Sequence, residues 1–263
     1  MTWHTGPLLA FDLETTAPDP DYARIVTATL VGLQGAEPNY DALVDPGVPI
    51  PAGAAAIHGI TTEAARAAGE APEGVVFALV GFIARALGQG TPLVGFNIAY
   101  DLTVLDRECI RHGIARLSER LDVVAPVVDA HVLDKAMDRY RRGKRTLSAT
   151  CEHYGIELSE DDAHTSRADA LASARLVWKI AEQYGAAADD GALFDDSNAA
   201  SLPTDLMVLH ERQVDWRREQ AASLQAYFRR TRPDAVVNGE WPIQSVSPGW
   251  DPTAHPVDEG AAA

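Results

Sequence analysis

Two rhythms of apolar residues run through the first 184 positions, and the switches between them predict a mixed strand-and-helix domain. Pro7 to Glu14 is an apolar run interrupted only by its two acids, and reads as a buried strand. Arg24 to Leu33, rich in Val, Ile, Thr and Leu, reads as a second strand, and Tyr40 to Val44 as a short third. A Pro/Gly/Ala stretch from Asp45 to Gly59 reads as loop. The period then lengthens. Val76, Leu79, Val80, Ile83 and Leu87 lie at helical spacing within Glu73 to Gly88, with Gly88 as a stop. Pro92 to Phe96 predicts a strand, Ala99 to His112 a helix stopped by Gly113, and Ala125 to Val128 another short strand. Leu147 to Tyr154 and Arg167 to Tyr184 predict two helices, each followed by glycine. Strands first, then strands mixed with helices, predict an α/β domain of three layers ending near Tyr184.

Beyond Tyr184 the pattern changes. Ala186 to Ala200 is built from Ala, Asp, Gly, Ser and Asn and reads as a linker. Pro203 to Arg230 predicts an amphipathic helix, with Pro203 in its first turn and Pro233 as its stop. Leu206, Leu209, Trp216, Ala221, Leu224, Tyr227 and Phe228 share one broad face of it. From Val246 onward the chain is rich in Pro, Gly and Asp, and a frayed tail is expected. The expected division is a domain over 1–184, a linker over 185–201, and a helical extension with a flexible tail over 202–263.

Composition narrows the function classes. The 263 residues carry 22 Lys+Arg against 38 Asp+Glu, a net charge of -16. That balance argues against coating nucleic acid by bulk charge, but not against gripping one end of it. No apolar run reaches the ~20 residues of a membrane span, and the first residues lack a secretory pattern. Cys109 and Cys151 stand alone, outside any zinc or disulfide spacing, which fits a reducing cytoplasm.

The chemistry lies in the acids. Asp12 and Glu14 are two apart in a strand, so both carboxylates face one side while Leu9, Phe11 and Leu13 face the other. Neighbouring buried acids repel and lose hydration, and a hard divalent cation between them relieves both costs. Asp101 follows the strand exit Gly95-Phe96-Asn97 and falls in the first turn of a helix, with Leu105 one turn later facing the core. Asp169 lies on the same stripe as Ser173, Leu176, Val177 and Ile180, and His164 stands five residues before it. Any of these acids alone has an ordinary explanation, as a strand end or a helix-terminal charge. Four together can hold two Mg²⁺ or Mn²⁺ ions about 4 Å apart, the arrangement that clamps the attacking and leaving oxygens of a phosphoryl displacement. A nearby histidine can take the proton of the attacking water.

These segments resemble the DEDDh 3′–5′ exonucleases, the superfamily of the proofreading epsilon subunit of bacterial DNA polymerase III. The resemblance rests on Phe11-Asp12-Leu13-Glu14-Thr15-Thr16, on Val94 to Asp101, and on His164-Thr165-Ser166-Arg167-Ala168-Asp169. Asp45 to Pro51, Ile57-His58-Gly59-Ile60-Thr61, Val128-Asp129, Thr146-Leu147 and Tyr154-Gly155-Ile156 also match, in family order, over roughly residues 7 to 184. It implies a ribonuclease H-like fold, a mixed central sheet flanked by helices. It implies that Asp12, Glu14 and Asp169 bind one metal, with Asp12 bridging to a second. Asp101 supports the metals directly or through water, and His164 is the general base. Leu13 and Thr15 contact the terminal nucleotide, His58 and Phe96 line its pocket beside Asn97, and the product is a nucleoside 5′-monophosphate.

Two stretches lie outside that pattern. Arg139 to Arg145 is the densest basic cluster, and Arg141, Arg142, Lys144 and Arg145 are expected to contact phosphates upstream of the cut. Its alternative reading is a solvated loop. Residues 185–263 read first as a stabilising appendage, and second as the docking segment for a DNA polymerase or another replication partner. The expected substrate is a DNA 3′ end. The rivals are an RNA exonuclease on the same fold and a non-catalytic interaction module; a two-carboxylate glycosidase would leave Asp101, Asp169 and His164 unexplained.

Overall fold

A computed structural model describes residues 2–158, 165–185 and 201–254. A mixed five-stranded sheet forms its centre: β1 (Leu8–Thr15), β2 (Ile25–Leu33), β3 (Tyr40–Leu43), β4 (Leu93–Gly95) and β5 (Val127–Asp129), in the order β3-β2-β1-β4-β5. β1 pairs antiparallel with β2 and parallel with β4, and β4 pairs parallel with β5. The fold is therefore the three-layer α/β architecture expected, with helices on both faces.

Between β3 and β4 the chain forms α1 (Ala52–His58), α2 (Thr62–Ala68) and α3 (Pro72–Gly88). After β4 come α4 (Ile98–His112) and the single turn α5 (Leu117–Arg120). After β5 come α6 (Ala130–Met137), α7 (Leu147–His153), α8 (Ser166–Tyr184) and α9 (Leu206–Phe228). The stretch read as loop from Asp45 to Gly59 thus contains α1, and α2, α5 and α6 were not foreseen. The strand alternation sorts two cores. Leu9, Phe11 and Leu13 of β1 pack with Val76, Leu79 and Ile83 of α3 and with Leu102 and Leu105 of α4. Leu8 and Ala10 face the other way, toward Leu133 of α6, Cys151 of α7, and Leu176, Val177 and Ile180 of α8. Asp12 and Glu14 share this second face, at its C-terminal end, under the start of α8.

The C-terminal segment closes the sheet. β5 is an edge strand, and its outward backbone groups need partners. Gln213 of α9 supplies two: its Nε2 donates to the Val127 carbonyl at 3.0 Å and its Oε1 accepts from Asp129 N–H at 2.7 Å. His210 Nδ1 accepts from Val127 N–H at 3.2 Å. One glutamine amide thereby stands in for a peptide unit of a sixth strand. These polar side chains are 0% and 5% exposed, so the buried face of α9 is not the purely apolar stripe expected. Leu224 and Tyr227, placed on that stripe by their spacing, are exposed. The helix also begins later than Pro203, at Leu206, because Asp205 caps the Met207 and Val208 N–H groups.

The fraying expected from Val246 is corrected as far as Ala254. The Arg107 guanidinium donates to the Gln244 and Ser245 carbonyls, and Arg24 to those of Pro252 and Ala254. The Trp250 ring lies 5.7 Å from the Arg107 guanidinium and 5.3 Å from that of Arg111, and its indole N–H donates to Asp21. The chain is held because buried guanidiniums need acceptors, and the tail provides carbonyls. Residues 186–200, expected as linker, and 255–263 lie outside the described residues.

Candidate active site

Strand register builds the site. Asp12 and Glu14 stand directly opposite Thr29 and Thr27 of β2, so two acids and two hydroxyls share one patch. The first turn of α8 lies on that patch. Ser166 Oγ is 3.1 Å from Thr27 Oγ1 and 2.8 Å from Thr29 Oγ1. Thr29 also donates to Asp41 at 2.9 Å, and Asp41 pairs with Arg167 at 2.5 Å. Thr165 caps α8 by accepting from Ala168 N–H. This clamp turns Asp169 toward the strand: one carboxylate oxygen each from Asp12, Glu14 and Asp169 lie within 4.8 Å of one another.

Asp101 enters by a different route. β4 ends at Gly95, so the N–H of Leu13, further along β1, lacks a strand partner. Asn97 turns the chain sharply with φ 58°, and α4 starts at once. Asp101 in its first turn accepts the Leu13 N–H at 3.1 Å. It is 5% exposed. The Asn97 turn is held in turn by Asp129, whose Oδ1 accepts from Asn97 N–H at 2.8 Å and from His131 N–H at 2.9 Å. The indole N–H of Trp241 reaches the other oxygen of Asp129 at 3.4 Å.

The electrostatics are those of crowded, buried acids. Burial, then the Asp101, Asp169 and Glu14 carboxylates, hold Asp12 well above the usual carboxylate range. Glu14 is pushed up to about 7, by burial first and Asp169 second. Burial raises Asp101 as well, against the pull of the Leu13 N–H. Asp12 and Glu14 have no cationic partner among the described residues. This donor set, all hard oxygens converging within 4.8 Å, fits a divalent cation, which would remove the repulsion the fold has created.

The remaining expected residues separate into groups. Thr15, Tyr100 and the Ala17 carbonyl form a hydrogen-bonded trio at the end of β1. His58, at the end of α1, accepts from Ile60 N–H at 3.2 Å. Its Nε2 is buried beside the Thr15 backbone and makes no full hydrogen bond. Burial lowers its pKa, so the ring is neutral and Nε2 carries the proton. Phe96 packs on the His131 ring at 5.0 Å, beside Asn97. His164 lies outside the described residues.

The basic loop does not join this group. Arg141 donates to both oxygens of buried Asp134, and Arg145 pairs with the same carboxylate at 2.6 Å. Arg145 also donates to the Asp138 carbonyl. These two guanidiniums are spent on folding the loop. Arg142 and Lys144 are exposed and unpaired among the described residues. Asp134 and Asp138 lie within charge range of Tyr184, the last residue of α8. Asp169 is fifteen residues earlier, so the loop sits about 22 Å along that helix from the acids. Arg141 and Arg145, expected to contact phosphates upstream of the cut, each pair with Asp134. Ser166, Thr27, Thr29 and Asp129 are the residues that sequence reasoning left out. The alternation Thr27-x-Thr29 was visible, but its meaning depends on a register only the structure gives.

The comparisons with known proteins agree with this geometry. A family model described as Exonuclease (RNase_T) matches residues 9–177. The chain is 33% identical over 177 residues to a DNA polymerase III subunit epsilon-like protein of Rhodobacter capsulatus, covering 65% of this chain and 23% of that one. Its fold is similar to that of E. coli exonuclease I in complex with a dT13 oligonucleotide, with TM-score 0.56, 18% identity, and coverage of 67% and 41%. It is likewise similar to the zinc ion bound form of an E. coli exonuclease I–single-stranded DNA complex, with TM-score 0.57, 18% identity, and coverage of 68% and 41%. The chain thus spans less than a quarter of that curated relative's length.

Proposed function

The chain belongs to the exonuclease family whose model spans residues 9–177, and from that premise we propose that it is a 3′–5′ exonuclease that trims DNA to nucleoside 5′-monophosphates. One observation carries the reading: Asp12, Glu14 and Asp169 converge to within 4.8 Å, and burial with the neighbouring carboxylates pushes Asp12 and Glu14 up. Such a set is costly to keep in a protein that binds no cation. Asp12, Glu14 and Asp169 would hold one Mg²⁺ or Mn²⁺, and Asp12 with Asp101 would support a second. When bound, the ions would supply Lewis acidity and neutralise charge developing on the phosphate.

The chain's own groups do the rest. The Leu13 to Thr15 backbone and the neutral His58 Nε2–H line the place for the terminal nucleotide, and the buried donor of His58 gains an acceptor when a nucleotide oxygen arrives. Phe96, held on His131, offers an aromatic face to the base. Asp129 fixes the Asn97 turn and so the aim of Asp101. His164 accepts the proton of the attacking water; an unperturbed imidazole titrates near ~6.5 and is competent at neutral pH. We read residues 1–184 as the exonuclease unit and 202–263 as its extension. Any polymerase partnership belongs to that extension. Among the described residues no helix is long and apolar enough to cross a membrane, and a cytoplasmic site of action is part of the proposal.

The test is an end-labelled assay on single-stranded DNA, mismatched duplex and RNA. Purified protein should shorten DNA from its 3′ end with Mg²⁺ or Mn²⁺ and stop in excess chelator. Undiminished activity in chelator overturns the metal reading, and faster removal of ribonucleotides reassigns the substrate.

A further inference from the structure

The charge at the acid site comes from carboxylates, and the loop expected to grip a polyanion has spent two of its arginines on Asp134. Another basic region lies beyond the end of the sheet that carries the acids. Residues 217–232 contain five arginines (Arg217, Arg218, Arg229, Arg230 and Arg232) and one acid, Glu219, in a chain of net charge -16.

The hydrogen bonds of α9 fix where this region points. His210 meets Val127, Gln213 meets Asp129, and the Gln220 amide donates to the Val132 carbonyl at 3.0 Å. Residue numbers rise together, so α9 follows β5 in direction and continues beyond its C-terminal end. That end of the sheet carries Glu14 and Asp169. From Gln213 to Phe228 the helix extends about 22 Å, and the root of the arm is two strands, roughly 10 Å, from β1. The arm is braced. Residues 233–241 run back along it: Val237 N–H donates to Gln225 Oε1 at 3.1 Å, and Arg229 donates to the Ala235 carbonyl at 2.9 Å. Gly239 lies so close that a Cβ there would stand 3.1 Å from that of Ala221.

The chemistry of its surface is that of a nucleic-acid contact. Tyr227 is 61% exposed, with the Arg230 guanidinium 5.6 Å from its ring. Arg232 lies 4.4 Å from the Phe228 ring. Arg230 and Arg232 have no ion-pair partner among the described residues. At the root, Lys135 is half-buried next to Arg217, and its pKa is lowered by burial and by that neighbour. Lys135 too has no carboxylate within ion-pair distance among the described residues. Asp129 and Asp134 lie within charge range of Lys135, and Arg218 pairs with Asp215, but Arg230 and Arg232 at the tip are exposed to solvent and suit a polyanion.

We propose that the arm formed by the second half of α9 and the segment returning along it holds the single strand that leads into the acid site, through Lys135 and Arg217 near the root and Arg230, Arg232 and the Tyr227 ring near the tip. This rests on the exonuclease reading above and extends it. Unpaired arginines bind the phosphates and the exposed ring stacks a base, a mode tolerant of sequence. At the ~3.4 Å rise of a stacked strand, the arm reaches about seven nucleotides from the cut.

The test compares two substrates. One is the p-nitrophenyl ester of thymidine 5′-monophosphate, which reaches only the acids. The other is a single-stranded DNA of twenty nucleotides. Replacing Arg230 and Arg232 together by Ala should leave the ester rate unchanged, raise KM for the long strand about tenfold, and flatten its salt dependence by roughly 0.7 per lost phosphate contact. The double Arg→Lys variant should restore the slope, which separates lost charge from a damaged fold. An unchanged slope on long DNA overturns the proposal and leaves the arm to an acidic protein partner. Failure of the wild-type protein on both substrates would instead overturn the exonuclease reading.

Discussion

Two sets of buried carboxylates in this molecule are treated in opposite ways. On one side, Asp134 receives Arg141 and Arg145, Asp21 and Asp106 flank Arg107 at 2.7 Å each, and Glu108 receives Arg111 at 2.7 Å. On the other, Asp12, Glu14 and Asp101 receive threonine and serine hydroxyl neighbours, one backbone N–H and each other. The first set is finished: its charges are neutralised within the chain, and what it does is join the basic loop and the C-terminal segment to the body. The second is unfinished, and its missing charge has to come from solution. The presence of both in one fold shows that arginine is available to buried acids here; at the start of α8 Arg167 pairs with Asp41, while Asp12 and Glu14 have no ion-pair partner among the described residues.

The sharpest test of the contrast is to remove one acid from each set. Asp12→Ala or Asp169→Ala should reduce exonuclease activity to background, while the metal-free protein keeps or gains stability, because a repulsion is relieved. Asp134→Ala should do the reverse: activity per folded molecule persists, and stability falls by about 3–5 kcal/mol because two guanidiniums lose their partner. Thermal melting beside an activity assay reads both, and a metal-free Asp12→Ala protein that melts well below the parent would erase the distinction.

Next in size is the effect of pH. The folded value of Glu14, about 7, lies above its ordinary one of 4.5. A group raised on folding contributes stability that is full below its unfolded pKa and lost as pH rises through its folded pKa. The metal-free protein should therefore lose stability between about pH 4.5 and 7 from this group. Added Mn²⁺ should reverse the trend, stabilising more at pH 8 than at pH 6, since protons and metal compete for the same oxygens. Melting curves at the two pH values, with and without Mn²⁺, decide it; equal stabilisation at both would contradict the assignment of Glu14.

The smallest expected effect is that of the clamp. Ser166→Ala removes the hydroxyl between Thr27 and Thr29, costing about 1 kcal/mol of stability. It frees the turn that aims Asp169, so the metal concentration for half-maximal activity should rise several-fold while the rate at saturating metal changes little. Ser166→Thr should recover part of it. A lower rate with an unchanged metal requirement would make Ser166 a packing residue only.

Where the sequence was legible, one element carried one period. β1, β2, α3, α4 and α8 lie within two residues of where alternation or helical spacing put them, because each buries one clean face. α6 was missed because nothing separates it from β5: Asp129 is both the last strand residue and the cap that accepts from His131 N–H. α1 was hidden in the Pro/Gly/Ala stretch and α2 in the residues just after it, and both bury little; α1 has no buried residue and α2 only Ala65. The acids were legible because a spacing of two in a strand is itself geometry. The hydroxyl clamp, the Asp129 brace and the Trp250 clasp were not, since each joins residues from separate elements, 32 positions apart for Asp129 and Asn97 and more than a hundred for the other two. His210 and Gln213 misled for a further reason. Polar residues on an otherwise apolar stripe look like exceptions until the strand edge they satisfy is in view.

Gln213 also sets a schedule for synthesis. A chain made from its N-terminus at roughly 5–20 residues per second completes β5 several seconds before Gln213 has been added. Throughout that interval the Val127 carbonyl and the Asp129 N–H are an unsatisfied strand edge, open to pairing with another nascent chain. The segment that carries Gln213 therefore serves the residues made before it as a late-arriving cap on their open edge.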